Sequence, residues 1–153
     1  MRKFLLLNLF FTLTCFSQDL KLSTLLIPKE LTENANSIVR KQNIEINILS
    51  QKLMQINKLK VITVLNSKGL SNIDAIEYFD GSTKVKSIEA IIYNSLGVEL
   101  KKIKRKDFID QSVADGFSVY SDNRMIYLDY TPTEYPFTLV YNSEVETSNT
   151  AFI

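Results

Sequence analysis

Histidine is absent from all 153 residues, and cysteine occurs once, at Cys15. Without histidine the chain cannot build a Ser-His-Asp triad, a Cys-His dyad or a histidine zinc site. A single cysteine excludes a disulfide within one chain. An excess of either charge is missing too, since 18 basic and 17 acidic side chains leave a formal charge of +1. No strong field therefore draws the chain to nucleic acid or to an anionic membrane, and no nucleic-acid partner is expected. Glycine is scarce: the four glycines, at 69, 81, 97 and 116, all fall at breaks between apolar runs, where positive φ is cheap. There is no internal repeat, low-complexity tract or long linker, and no motif that implies a cofactor or a metal.

What the chain does have is an apolar fraction of 45%, enough for a core, in a length that suits one domain. Its start is distinctive. Arg2 and Lys3 precede an apolar stretch at residues 4–16, broken only by Asn8, Thr12 and Thr14, with the small residue Ser17 after it. Thirteen residues fall short of the roughly 20 that a spanning helix needs. Residues 1–18 therefore read as a secretory signal peptide, cleaved after Ser17 or Gln18. Thr12 and Thr14 stand where a lipid-anchor site would place an aliphatic and a small residue before its cysteine, so Cys15 belongs to the discarded leader. Export places the chain in the periplasm or outside the cell, and no transmembrane helix is expected in residues 19–153. Loss of Arg2 and Lys3 takes the formal charge from +1 to −1.

Beyond the leader the pattern is extended. Residues 20–27 suit a short strand, and Pro28 suits the first turn of a short helix or turn over 28–36. In residues 37–50, Ile44, Ile46 and Ile48 alternate with Glu45 and Asn47, the cleanest half-buried strand in the chain. Residues 52–65 and 73–79 give two more strands, with a turn at 66–69. Residues 84–103 read as a β-hairpin around Asn94-Ser95-Leu96-Gly97. In its first arm Ile88, Ala90 and Ile92 face one way and Val85, Ile91 and Tyr93 the other, so that arm should be central. Residues 117–120 and 125–129 suggest short strands about a turn at 121–124, and 137–147 the last strand, where Phe137, Leu139 and Tyr141 alternate with Thr138 and Asn142. The sum is an all-β chain: an antiparallel β-sandwich of eight to ten short strands, with one short helix or turn near the N-terminus.

Candidate chemistry is sparse. Residues 101–106 hold five basic side chains in six. They form either a polyanion patch or the solvated end of an edge strand, where lysine blocks edge-to-edge pairing, and the absence of a net basic field favours the second. Asp122, Asn123 and Arg124, with Tyr120 beside them, are the best binding candidates. Their types suit a sugar hydroxyl, a carboxylate or, with Asp129, a calcium ion, and equally an Asx-type turn in which Arg124 pairs a nearby carboxylate. Tyr120, Tyr127, Tyr130 and Tyr135 suit a carbohydrate-stacking platform or, more commonly, sheet and core aromatics. Asp107 and Asp110 are a carboxylate pair whose separation the sequence does not fix.

The segments IPKELTENANSIVR, VITVLNSKG, YFDGSTKVKSIEAIIYNSLGVELKKIKRKDFID and GFSVYSDNRMIYLDY together resemble one family. It is the domain of unknown function that stands N-terminal to transglutaminase-like domains in secreted bacterial proteins. The resemblance runs from Pro28 to Ile153. It implies a β-sandwich-like, non-catalytic module before a papain-like core with a Cys-His-Asp set. No residue here matches that set, so no catalytic residue carries over. The expectation is a non-catalytic exported β-domain that precedes and supports a transglutaminase-like core missing from this chain. A second expectation, of a different class, is a free-standing exported module that binds glycan or peptide. The ending on Phe152 and Ile153 suits a cut through a longer protein.

Overall fold

The structure, a computed structural model, describes residues 22–113 and 122–150. The leader at 1–18, the strand expected at 117–120, Tyr120 and Gly116 lie outside the described residues. Among the described residues eight strands run in order: β1 (Ser37–Ser50), β2 (Leu53–Val64), β3 (Ile76–Phe79), β4 (Thr83–Tyr93), β5 (Glu99–Lys104), β6 (Ile109–Ser112), β7 (Arg124–Tyr127) and β8 (Phe137–Thr147). They form two antiparallel sheets, one of five strands in the order β1-β2-β8-β4-β5 and one of three in the order β3-β7-β6. The expected all-β sandwich is present, although β1, β2, β4 and β8 are long rather than short.

The last strand, β8, holds the middle of the larger sheet, with β2 on one side and β4 on the other. The hairpin's first arm, β4, was expected there. It sits one place further out because β8, last in sequence, inserts between β2 and β4. Burial follows position: Phe137, Leu139, Tyr141 and Val145 of β8 join one core with Ile62 and Val64 of β2 and Ile88, Ala90 and Ile92 of β4. Val85 belongs to that same core, not to the opposite face. A register shift between Val85 and Ser87 is the cause, because an extra residue in one strand reverses the alternation beyond it.

Residues 22–27 do not form the strand expected over 20–27. Thr24–Leu26 make a turn of 3-10 helix in which the Ser23 hydroxyl accepts a hydrogen bond from the Leu25 N–H. The segment lies on the β4–β5 hairpin instead of joining a ladder, with the Thr24 N–H donating to the Ser95 carbonyl at 2.9 Å. The expected helix after Pro28 is a single turn, α1 (Lys29–Thr32). It leads to Asn34 at φ 63°, a left-handed position that asparagine tolerates.

The hairpin turn works as its residues suggested. Asn94 Oδ1 accepts from the N–H groups of Leu96 and Val98 at 3.0 and 2.9 Å, and Gly97 takes φ 83°. A side chain at Gly97 would also meet the Ser23 backbone at 2.9 Å. Gly69 is needed for a different reason, close approach, since a Cβ there would lie 2.1 Å from the Asn36 carbonyl oxygen. Among the described glycines, positive φ occurs only at Gly97.

The largest departure from expectation is β1. Its boundaries fall where the pattern put them, yet Ile44, Ile46 and Ile48 are 51%, 42% and 59% exposed. They face the core side of the larger sheet, as their partners Lys58, Ile56 and Met54 do. The smaller sheet does not extend far enough to bury them. Among the described residues no helix is long and apolar enough to cross a membrane.

Candidate functional site

The two sheets are joined by one buried polar cluster, which the sequence did not announce. Glu77 stands on β3 with its side chain turned to the larger sheet, and only 4% of the residue is exposed. Strand alternation puts Tyr141 and Ser143 on the inner face of β8, and cross-strand pairing puts Lys58 opposite Ser143 on β2. Tyr141 Oη and Ser143 Oγ donate to Glu77 Oε1 at 3.0 and 2.6 Å, and Lys58 Nζ donates to Oε2 at 2.8 Å. Three donors on one carboxylate offset its removal from water, the condition under which a buried charge is tolerated. Burial, and then the neighbouring Glu77 charge, push the Tyr141 hydroxyl well above its ordinary value, so it remains a donor.

Beside this cluster runs a cleft of about 250 Å³ between β1 and β2 on one wall and β3 on the other. Gln42, Ile44, Lys58, Glu77, Tyr78 and Tyr141 contribute to its lining. Lys60 closes one end, donating to the Asn72 carbonyl at 3.1 Å and lying 3.6 Å from Asp74. The cleft thus combines apolar walls with a cation, an anion and a tyrosine hydroxyl. Ser143, at 4% exposure and committed to Glu77, is not presented as a nucleophile.

The sequence pointed elsewhere, to residues 120–124. Arg124 is the first residue of β7, the middle strand of the smaller sheet, with Phe79 opposite on β3 and Ser112 opposite on β6. Its Nε and Nη2 both donate to Asp110 Oδ1, at 2.9 and 2.8 Å. Its guanidinium carbon lies 6.0 Å from the centre of the Phe79 ring. Both partners of the ion pair remain exposed, 42% for Arg124 and 39% for Asp110. Asn123 accepts the Val113 N–H on its carbonyl at 2.8 Å, and it lines with Arg124, Tyr78 and Asp80 a shallow cleft of about 320 Å³. Asp122 is exposed, and Tyr120 lies outside the described residues.

Other candidates resolve into structure. Asp107 accepts the Lys104 N–H on its side chain at 3.2 Å, capping a 3-10 turn at Arg105–Asp107, whereas Asp110 pairs with Arg124. Tyr130 packs edge-on against Phe137 at 5.6 Å and Tyr135 lies tilted against the same ring at 5.7 Å. Tyr130 packs partly buried against the core, whereas Tyr135 stays 38% exposed with its ring leaning on Phe137. The basic run ends edge strand β5, where Lys102 pairs with Glu89 at 3.1 Å and Arg105 donates to the Val85 carbonyl at 2.9 Å. Among the described residues no group of three His, Cys, Asp or Glu side chains is placed to hold a metal ion. Asp80 holds the β3–β4 turn by accepting from Ser82 and Thr83, and those hydrogen bonds, led by the Ser82 hydroxyl, lower its pKa.

Comparison with known proteins gives this fold a context. No curated protein matches the chain. The fold is similar to part of the crystal structure of a "putative protease" from Parabacteroides distasonis, with a TM-score of 0.55 at 11% identity. The similarity covers 73% of this chain and 23% of that one, so this chain spans about a quarter of that protein's length. Residues 50–153 match the family described as a domain of unknown function with a solved structure, DUF3857, and the chain belongs to that family.

Proposed function

We propose that this chain is a non-catalytic, exported β-domain that precedes and supports a transglutaminase-like, papain-type core in the same polypeptide. The observation that carries this reading is the family membership of residues 50–153, in a fold that recurs as about a quarter of a longer chain described as a "putative protease". The composition supports it. Residues 19–153 contain neither cysteine nor histidine, so the nucleophile and base of such a core must come from other residues. The polar clusters support it as well, because Glu77, Lys58, Tyr141 and Ser143 tie one sheet to the other. A domain built this way offers a stiff surface rather than a reaction centre.

The test uses exported protein, first sequenced at its N-terminus. A start at or just after residue 18 is expected, and a start at Met1 would count against export. Purified 19–153 should then turn over no peptide, amide or ester substrate, whereas the polypeptide carrying a downstream Cys, His and Asp should. Robust turnover by 19–153 alone would sink the non-catalytic reading. The cleft beside Tyr78, Gln42 and Lys58 favours a second reading, a free-standing module for peptide or glycan. Saturable binding of either by 19–153, with no core encoded downstream, would establish that one instead.

A further inference from the structure

The two edges of the five-stranded sheet are protected very differently. One edge, β5, is six residues long and carries Lys101, Lys102 and Lys104. Short length and lysines are the usual defences of an edge strand. The other edge, β1, is 14 residues long. Between its two register irregularities, over residues 41–48, it contains no Pro or Gly and only two charged side chains, Lys41 and Glu45. Ile44, Ile46 and Ile48 form an exposed stripe on the core side of this edge. Across the sheet the stripe continues the core, with Ile46, Ile56, Val145 and Val85 in one cross-strand row. Among the described residues, β1 has a ladder on one side only.

We propose that β1 is a self-pairing edge, to which a second copy of this chain adds its own β1 antiparallel, about a two-fold axis at Ile46. The register follows from the residues themselves. A two-fold axis perpendicular to the sheet keeps like faces together, so only residues an even number apart can oppose one another. An axis at Glu45 sets two carboxylates against each other, which is unfavourable. An axis at Ile44 puts Ile46 opposite Gln42 and Ile48 opposite Arg40, and one at Asn47 puts Ile44 opposite Ser50 and Glu45 opposite Leu49. The axis at Ile46 alone sets Ile44 against Ile48 and Ile46 against its own copy. On the other face it sets Glu45 against Asn47, a pairing already favourable within one strand, where Asn47 Nδ2 donates to Glu45 Oε1 at 3.2 Å. This self-complementarity singles out a second copy over an unrelated apolar peptide. The result is one continuous sheet across both copies, with the apolar stripe doubled.

An edge pairing of this length lies at or below about 1,000 Å² of buried surface, which makes the association reversible. Sedimentation velocity of the purified chain across the micromolar range should show monomer passing to dimer. Hydrogen exchange of those amides in residues 44–48 that point away from β2 should slow as the dimer forms. Ile46→Lys opposes two ammonium groups at the axis and should weaken dimerisation by at least about tenfold. Leu100→Lys on β5 should leave it unchanged. Because Ile46 is already 42% exposed, the lysine variant should keep the wild-type far-UV dichroism, and the wild-type exchange data stand without any variant. A chain that stays monomeric at every concentration would overturn the proposal. So would a dimer that Ile46→Lys does not weaken, or protection arising away from β1. Alternate amides of residues 44–48 are bonded to β2 in the monomer, so the outward-pointing ones decide, and their protection in the monomer would assign the edge to another occupant.

Discussion

Glu77 and Arg124 lie on adjacent strands of the same small sheet, each in an ion pair of 2.8 Å, yet the two pairs do different things. Glu77 points into the space between the sheets and collects donors from β2 and β8. Arg124 stays within its own sheet, reaching Asp110 on β6 in contact with water. Distance alone therefore says little about what a pair contributes. In low dielectric, losing one partner strands the others without water to replace it, whereas at the surface water takes over. One cluster locks two layers together, and the other trims the end of one.

The sharpest way to break the comparison is Glu77→Ala. It leaves the buried Tyr141 and Ser143 hydroxyls without their acceptor, while the Lys58 ammonium, on a side chain 34% exposed, turns to water. The change should cost about 2–4 kcal/mol in urea unfolding. A loss no larger than that of an exposed pair would mean that water already reaches the cluster.

Tyr141→Phe should come next, at about 1.5–3 kcal/mol, because a hydrogen bond to a charged group is lost while the ring remains. It also carries a pH signature. The folded-state pKa of Tyr141 is raised, so its contribution is fully present below tyrosine's ordinary 10.0 and is lost as pH rises from there toward the folded value. Stability of the wild type should fall in that alkaline range, and the fall should be shallower in Tyr141→Phe. Identical alkaline slopes would remove the linkage.

Arg124→Ala should have the smallest effect, no more than about 1 kcal/mol, because the pair is exposed and screened. Lys102→Ala, which breaks the exposed pair with Glu89, is the surface control and should be similar. A loss in Arg124→Ala as large as that in Glu77→Ala would erase the distinction between the clusters. Equal stability with selective loss of glycan or peptide binding would instead mark the Asn123–Arg124 cleft as a site.

Much of the local structure was legible because it rests on nearby residues. Alternation and turn chemistry placed β1 at residues 37–50 and β8 at 137–147 with their observed boundaries, and Asn94 with Gly97 marked the hairpin turn. A carboxylate partner for Arg124 was expected from its donor geometry and is found in Asp110. Glu77 was invisible by the same reasoning. One Glu among 17 acidic residues carries no mark of burial, and its partners are 19, 64 and 66 residues away. The nearest signal was the alternation in residues 137–147, which set Tyr141 on the inner face, but nothing in it named what lay opposite.

The sequence by itself determined that this chain is built of strands, where most of them begin and end, and which side chains share a face wherever no register shift like that between Val85 and Ser87 intervenes. Those properties follow from a two-residue period and from turns of a few residues, both local. Only the tertiary structure decided which strand is central and whether an apolar face is covered. β8 took the middle because it pairs with strands far away in sequence. Ile44, Ile46 and Ile48 stayed exposed because β1 fell at the end of the row, beyond the reach of the smaller sheet. Periodicity says which way a side chain points, but burial depends on what distant segment packs on top of it.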